Sequence, residues 1–317
     1  MSERQPAGNF TLMHSLPDFV TTQPLPAPPA GWWDYDHAVL NDGALALVRI
    51  DRNLMDKKPP GHPRWWSGVR LRLSSIFGDA ESGAVETQAS WWPRVSRIAD
   101  GRWLVAAARA DEGDRNARII NTDGSGALSF AIGDHVSSIV CTPGGAIWVG
   151  YGDESAGGDS MPAGSGLAAF DAAGECRWLF DSDSYEIWDC DALSATGEDI
   201  WACTYDDFPI IRVRDGQIRS WENEIRGASA LAADGDYVVL AGGYPTFQGL
   251  NNVATDDRIV LLRLDERRAV VVAELRLPAI AERDAFLCGR DGALHIVVGG
   301  SWLRLAVKDW ASTVMSP

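Results

Sequence analysis

Six tight glycine-containing turns, each set between two short apolar runs, constrain this chain more than any other feature. They are Asn41-Asp42-Gly43, Ala99-Asp100-Gly101, Pro143-Gly144-Gly145, Thr196-Gly197-Glu198, Ala233-Asp234-Gly235 and Arg290-Asp291-Gly292. Glycine accepts the positive φ that a two-strand hairpin demands, so each turn predicts a hairpin. Successive turns lie about 37 to 58 residues apart, a period that suits a small sheet repeated many times. The runs after the turns, at 44–50, 102–108, 146–151, 199–205, 237–243 and 293–300, are rich in β-branched and aromatic residues. No stretch of about 12 residues carries a 3.6-residue apolar period, so helix is expected to be minor.

Third strands are expected at 69–74, 117–122, 167–172, 210–215, 259–265 and 302–307, and fourth strands at 84–90, 127–133, 176–182, 217–223 and 270–276. The sixth unit lacks a fourth strand of its own. The N-terminal stretch 9–18 resembles the other fourth strands, so it is expected to pair with the last unit and close a ring. Residues 19–31, rich in proline, then read as an extended connector. The expectation is a single domain over 1–317, an all-β six-bladed β-propeller, with blades near 32–90, 91–133, 134–184, 185–224, 225–278 and 279–310. Five or seven blades are the near alternatives, because the first unit is irregular; tandem β-sandwiches are a more distant one.

The segment Gly145-Ala-Ile-Trp-Val-Gly-Tyr151, followed by Gly166-Leu-Ala-Ala-Phe-Asp171, resembles the repeat of regulator-type β-propellers. Glu198-Asp-Ile-Trp-Ala-Cys-Thr204 is a second, partial match. The chain is also similar to bacterial propeller proteins with an IWVGY-x-DE segment and a TDFP-like segment, here Asp206-Asp-Phe-Pro209. The strong matches cover two of the six units. They imply architecture and no chemistry, because one fold hosts many functions.

With 28 Lys and Arg against 44 Asp and Glu, the formal charge is −16. Such a surface repels phosphate backbones and anionic lipid, so neither nucleic acid nor membrane is an expected partner. No apolar run approaches the roughly 18 residues needed to span a bilayer. No charged segment leads into an apolar run near the N-terminus, so no secretory signal is expected. The five cysteines (141, 176, 190, 203 and 288) are scattered without CxxC spacing. Reduced thiols in a cytoplasmic protein are the expectation.

Loops from second to third strands, at 51–68, 109–116, 152–165, 206–209 and 243–257, exceed what closing a ring needs, and they share a face with the blade-to-blade connections. Those connections carry Asp36, His37, Arg94, His135, Asp189, Asp191, Arg226, Arg283 and Asp284 near equivalent repeat positions. Arginine forks would clamp a carboxylate or phosphate, and a histidine would move a proton near neutral pH. The same charges would equally neutralise one another around channel water. Carboxylates beside His37 or His135 would suit a divalent cation, but with arginine present none is required.

The 14 tryptophans divide by position. Trp103, Trp148 and Trp201 recur on second strands, with Trp178 and Trp221 on fourth strands, and read as packing between blades. The doublets Trp32-Trp33, Trp65-Trp66 and Trp91-Trp92 cannot bury both members in one core, since adjacent strand residues face opposite ways. Trp33, Trp66 and Trp92 are therefore candidates for an aromatic ligand platform, or for loop anchors. The chain lacks HExxH, P-loop and GxSxG motifs. Two functions remain open. One is a propeller that binds a small molecule, glycan or protein on its long-loop face. The other is a lyase, cyclase or hydrolase at the channel mouth, with His37 or His135 as base, an arginine as anion clamp, and Asp189 or Asp191 as orienting group.

Overall fold

The structure is a computed structural model, and it describes residues 16–52, 68–78, 80–181, 186–243, 257–277, 280 and 285–315. It contains six four-stranded antiparallel sheets. Five are built from consecutive strands: 32–88, 93–130, 136–179, 189–221 and 230–276. The sixth joins Phe286–Arg290, Ala293–Val298 and Ser301–Ala306 to an N-terminal strand. The chain is a six-bladed β-propeller.

The strand that closes the ring is Val20–Pro24, with Val20 opposite Leu305 and Pro24 opposite Ser301. It lies inside the segment read as a connector and not at 9–18, of which 9–15 fall outside the described residues. Val20, Thr21 and Thr22 are β-branched and suit an edge strand, and Pro24 sits at its end, where a missing N–H costs little. A helix, Val307–Met315, follows the last strand. Its Trp310 stacks on Phe19 with ring centroids 5.6 Å apart, so the C-terminal helix also packs on the residue just before the closing strand.

Each seam between neighbouring blades holds its own apolar cluster. Ile98, Leu104, Ile119 and Phe130 of blade two, for example, pack on Ile147, Val149 and Phe170 of blade three. Trp103, Trp148 and Trp201 are buried in these seams, as their recurrence predicted. Trp148 meets Trp178, and Trp201 stacks on Trp221. Among the described residues the seam joining blade six to blade one has the smallest apolar cluster, with Val39, Leu45, Leu47, Ile76, Val297 and Trp302. Polar groups supplement it. Arg49, fully buried, donates to Asp34 (2.8 Å), Glu81 (2.8 Å) and the Pro26 carbonyl (3.0 Å), tying the connector to blade one. Near the axis blades five and six approach so closely that a Cβ on Gly289 would fall 1.5 Å from the Leu231 carbonyl oxygen. Among the described residues no helix is long and apolar enough to cross a membrane.

Candidate functional site

The six inner strands surround a channel, and two cavities lie along it. The deeper one, about 300 Å³, is lined by Asp36, His37, Arg94, Ser138, Asp191 and Phe286 among others. The wider one, about 530 Å³, opens on the long-loop face and gathers Tyr35, Trp92, Arg94, His135, Asp153 and Asp189. Arg94 lines both.

Local geometry fixes each of these groups. Arg94 stands on the inner strand Pro93–Arg97. Its Nε donates to the Ser137 carbonyl at 3.0 Å, which spans the seam between blades two and three. Asp36 is enclosed beside it. Burial pushes its carboxyl up to about 6, against the opposing pull of Arg94. His37 is lowered to about 4 by burial, and its ring lies 5.6 Å from that of Phe286. Its Nε2 is buried and makes no hydrogen bond among the described residues.

The mouth depends on two residues with left-handed backbone, Trp92 (φ 48°) and His135 (φ 53°). This conformation is uncommon outside glycine, and it concentrates where a side chain must be aimed. Ala108 N–H reaches the carbonyls of both Trp91 and Trp92, at 2.9 and 3.2 Å. The Trp92 ring stays 41% exposed at the rim. His135 accepts a hydrogen bond at Nδ1 from Glu154 N–H (3.0 Å), while its carbonyl accepts from Gly152 N–H (2.9 Å). A Cβ at position 152 would fall 2.7 Å from the imidazole Cε1, so only glycine leaves the ring its place. Asp134 accepts from Ala110 N–H and from Arg109, whose guanidinium also reaches Glu154. Asp189 is raised above the ordinary carboxylate range by burial and by the charge of Asp153, with His135 opposing.

The structure thus brings His135, Asp189, Arg94 and Trp92 to the mouth, and Asp36, His37 and Asp191 to the channel beneath. Arg226 lines neither cavity; its guanidinium lies over Phe208, 6.0 Å from the ring centroid. Trp33 also lines neither, and it pairs with Arg52 at 4.8 Å. Trp66, Arg283 and Asp284 lie outside the described residues. Residues 109 and 134, absent from the sequence-based set, brace the mouth. Their signal was the Asp134-His135 pair set against Gly152-Asp153-Glu154. Among the described residues no group of three or more His, Cys, Asp or Glu is arranged to hold a metal.

No family model matches the chain, and no curated protein matches it in sequence. Solved structures do resemble it in shape. A Bacteroides fragilis protein described as exported is 10% identical, with a TM-score of 0.52 over 93% of this chain and 86% of that one. A catalytically inactive virginiamycin B lyase from Staphylococcus aureus, solved with quinupristin, is 13% identical, with a TM-score of 0.48 over 90% and 99%. The WD40 domain of Neurospora crassa Pan2 is 14% identical, with a TM-score of 0.46 over 88% and 79%. At such identities the likeness concerns the fold alone.

Proposed function

We propose that this protein binds a small zwitterionic molecule at the channel mouth and does not transform it. One observation carries the reading: Tyr35, Trp92, Arg94, His135 and Asp189, drawn from four blades, line a single cavity of about 530 Å³. Arg94 uses Nε on the protein, and its Nη groups make no hydrogen bond among the described residues, so a ligand carboxylate would find a planar fork. Asp189 and Asp153 repel one another, and a ligand ammonium beside them would relieve that repulsion. Trp92 and Tyr35 supply flat apolar walls.

The histidines favour binding over catalysis. With its Nδ1 accepting from Glu154, a neutral His135 carries its proton on Nε2 and offers a ligand a donor rather than a base. His37 lies deeper, with Nε2 enclosed. The regulator-type character of the repeats at 145–151 and 166–171 belongs to the same proposal, as a frame for a binding face.

Ligand-observed NMR against a panel of small zwitterions tests the idea, with hits measured by calorimetry on wild type, Trp92→Ala and Arg94→Gln. Affinity is expected to fall at least about tenfold in Arg94→Gln, the loss of a buried charged contact, with little change in melting temperature. Hits that bind both variants as tightly as wild type, or a panel with no hits, would refute it.

A further inference from the structure

A separate cavity, about 520 Å³, opens beside blade four and shares no lining residue with either channel cavity. Its wall is Trp188, 46% exposed, whose backbone N–H donates to the Tyr205 carbonyl. The indole is also held from behind, because a Cβ on Gly157 would fall 2.5 Å from its Cε3. Trp221 forms another part of the lining. It is 2% exposed, stacked on Trp201, and fixed by its indole N–H to the Asp265 carbonyl at 2.9 Å. Trp188 therefore gives the cavity one fixed aromatic surface, whereas the Trp221 ring is already covered by Trp201 and by the Arg219 guanidinium, 4.6 Å from its centroid.

Its charged groups all carry one sign, and its neutral polar groups are Thr204, Ser220 and Asn223. Glu186, Asp206, Asp207 and Glu222 line it, and no Lys or Arg does. Arg268 neutralises Glu222 at 2.8 Å. The other three carboxylates form no ion pair among the described residues. Thr204 also lines the cavity; it is wholly buried, and its hydroxyl makes no hydrogen bond there. A buried hydroxyl without a partner costs free energy that a ligand donor would recover.

From this combination we infer that the blade-four cavity is a binding site for a primary alkylammonium. The Trp188 ring holds the apolar stem and meets the ammonium with its π face, Asp206 and Asp207 supply opposite charge, and the Thr204 hydroxyl accepts an N–H. A quaternary ammonium has no N–H and would forgo the last contact. A bare metal ion would leave the Trp188 wall unused. The inference does not depend on the mouth's ligand. Two sources fit the chemistry, a free aliphatic amine and a lysine side chain on a peptide.

The test uses the full chain labelled with 5-fluorotryptophan and followed by fluorine NMR, with the Trp188 and Trp92 signals assigned from Trp188→Ala and Trp92→Ala. The probes are n-butylammonium, 1,4-diaminobutane, a blocked lysine, tetramethylammonium and n-butanol. Butylammonium is expected to move the Trp188 signal saturably and leave that of Trp92 in place. Asp206→Asn with Asp207→Asn should weaken it roughly fivefold, as expected for exposed charge pairs. Thr204→Val should weaken butylammonium but not tetramethylammonium, a split that general loosening of the blade would not produce. Tighter binding of blocked lysine points to a peptide source, and tighter binding of the diamine to a free amine. The proposal fails if butanol or tetramethylammonium moves Trp188 as strongly as butylammonium, if Trp188 does not move, or if only Trp92 does.

Discussion

Replacing Arg49 by alanine is the sharpest test of how this ring is held shut. The side chain is fully buried, and it makes three charge-assisted hydrogen bonds, to Asp34, Glu81 and the Pro26 carbonyl. At about 1.5–3 kcal/mol each, the gross loss is about 5–9 kcal/mol. Asp34 and Glu81 are 37% and 26% exposed, so water recovers part of their solvation. The net cost should fall in the range of about 3–5 kcal/mol seen when one partner of a buried ion pair is removed. Unfolding entropy of about 2.1 cal/mol/K per residue, over 317 residues, gives roughly 0.67 kcal/mol/K. The melting temperature should therefore drop by about 5–7 °C in calorimetry at pH 7. Arg177, which pairs with Asp171 and Glu175 at the surface, is the control, and Arg177→Ala should leave melting unchanged. Arg49→Met combined with Asp34→Asn and Glu81→Gln should regain most of the loss, because no charge is then left unpaired. If Arg49→Ala melts like Arg177→Ala, the polar knot does not secure the seam between blades six and one.

The channel and the axis give further expected outcomes. Asp36, raised from 3.8 to about 6, stays protonated in the folded chain while the unfolded chain ionises, so its contribution to stability is lost as pH rises from about 4 to 6. His37, lowered from 6.5 to about 4, acts oppositely, its contribution being lost as pH falls through that window. Asp36→Asn should thus steepen the rise of stability from pH 4 to 6, and His37→Gln should flatten or invert it; urea midpoints that stay parallel to wild type would contradict both shifts. Gly289→Ala places a carbon against the backbone of Leu231 and should cost at least about 3 kcal/mol, read as lost soluble yield or melting temperature. Gly126→Ala, with nothing within 4 Å, should change little.

The second, third and fourth strands could be read in the sequence to within a few residues, because hairpin turns and alternating burial are local properties; the inner strands were not delimited. The second strand expected at 199–205 is Asp199–Tyr205, and the third expected at 210–215 is Ile210–Arg214. The closing strand was harder. Val20–Pro24 is short, sits beside a proline-rich stretch, and owes its place to a partner some 280 residues away, Ser301–Ala306. The helix Val307–Met315 is likewise too short to show a convincing period, and it is stabilised by Trp310 packing on Phe19.

By itself the sequence determined the repeated four-strand unit and the identity of the recurring tryptophans that fill the seams, since each follows from short-range pattern; it pointed to six blades with five and seven open, and the six sheets settled the number. Only the tertiary structure decided which polar residues share a space. Arg94 and Arg226 occupy similar places in the repeat, yet one lines the mouth and the other covers Phe208. His135 reaches the mouth through a left-handed backbone and the room left by Gly152. The reason is physical: a side chain's direction and burial depend on one φ value and on what the neighbouring blade leaves empty, and neither is written in the local pattern of the chain.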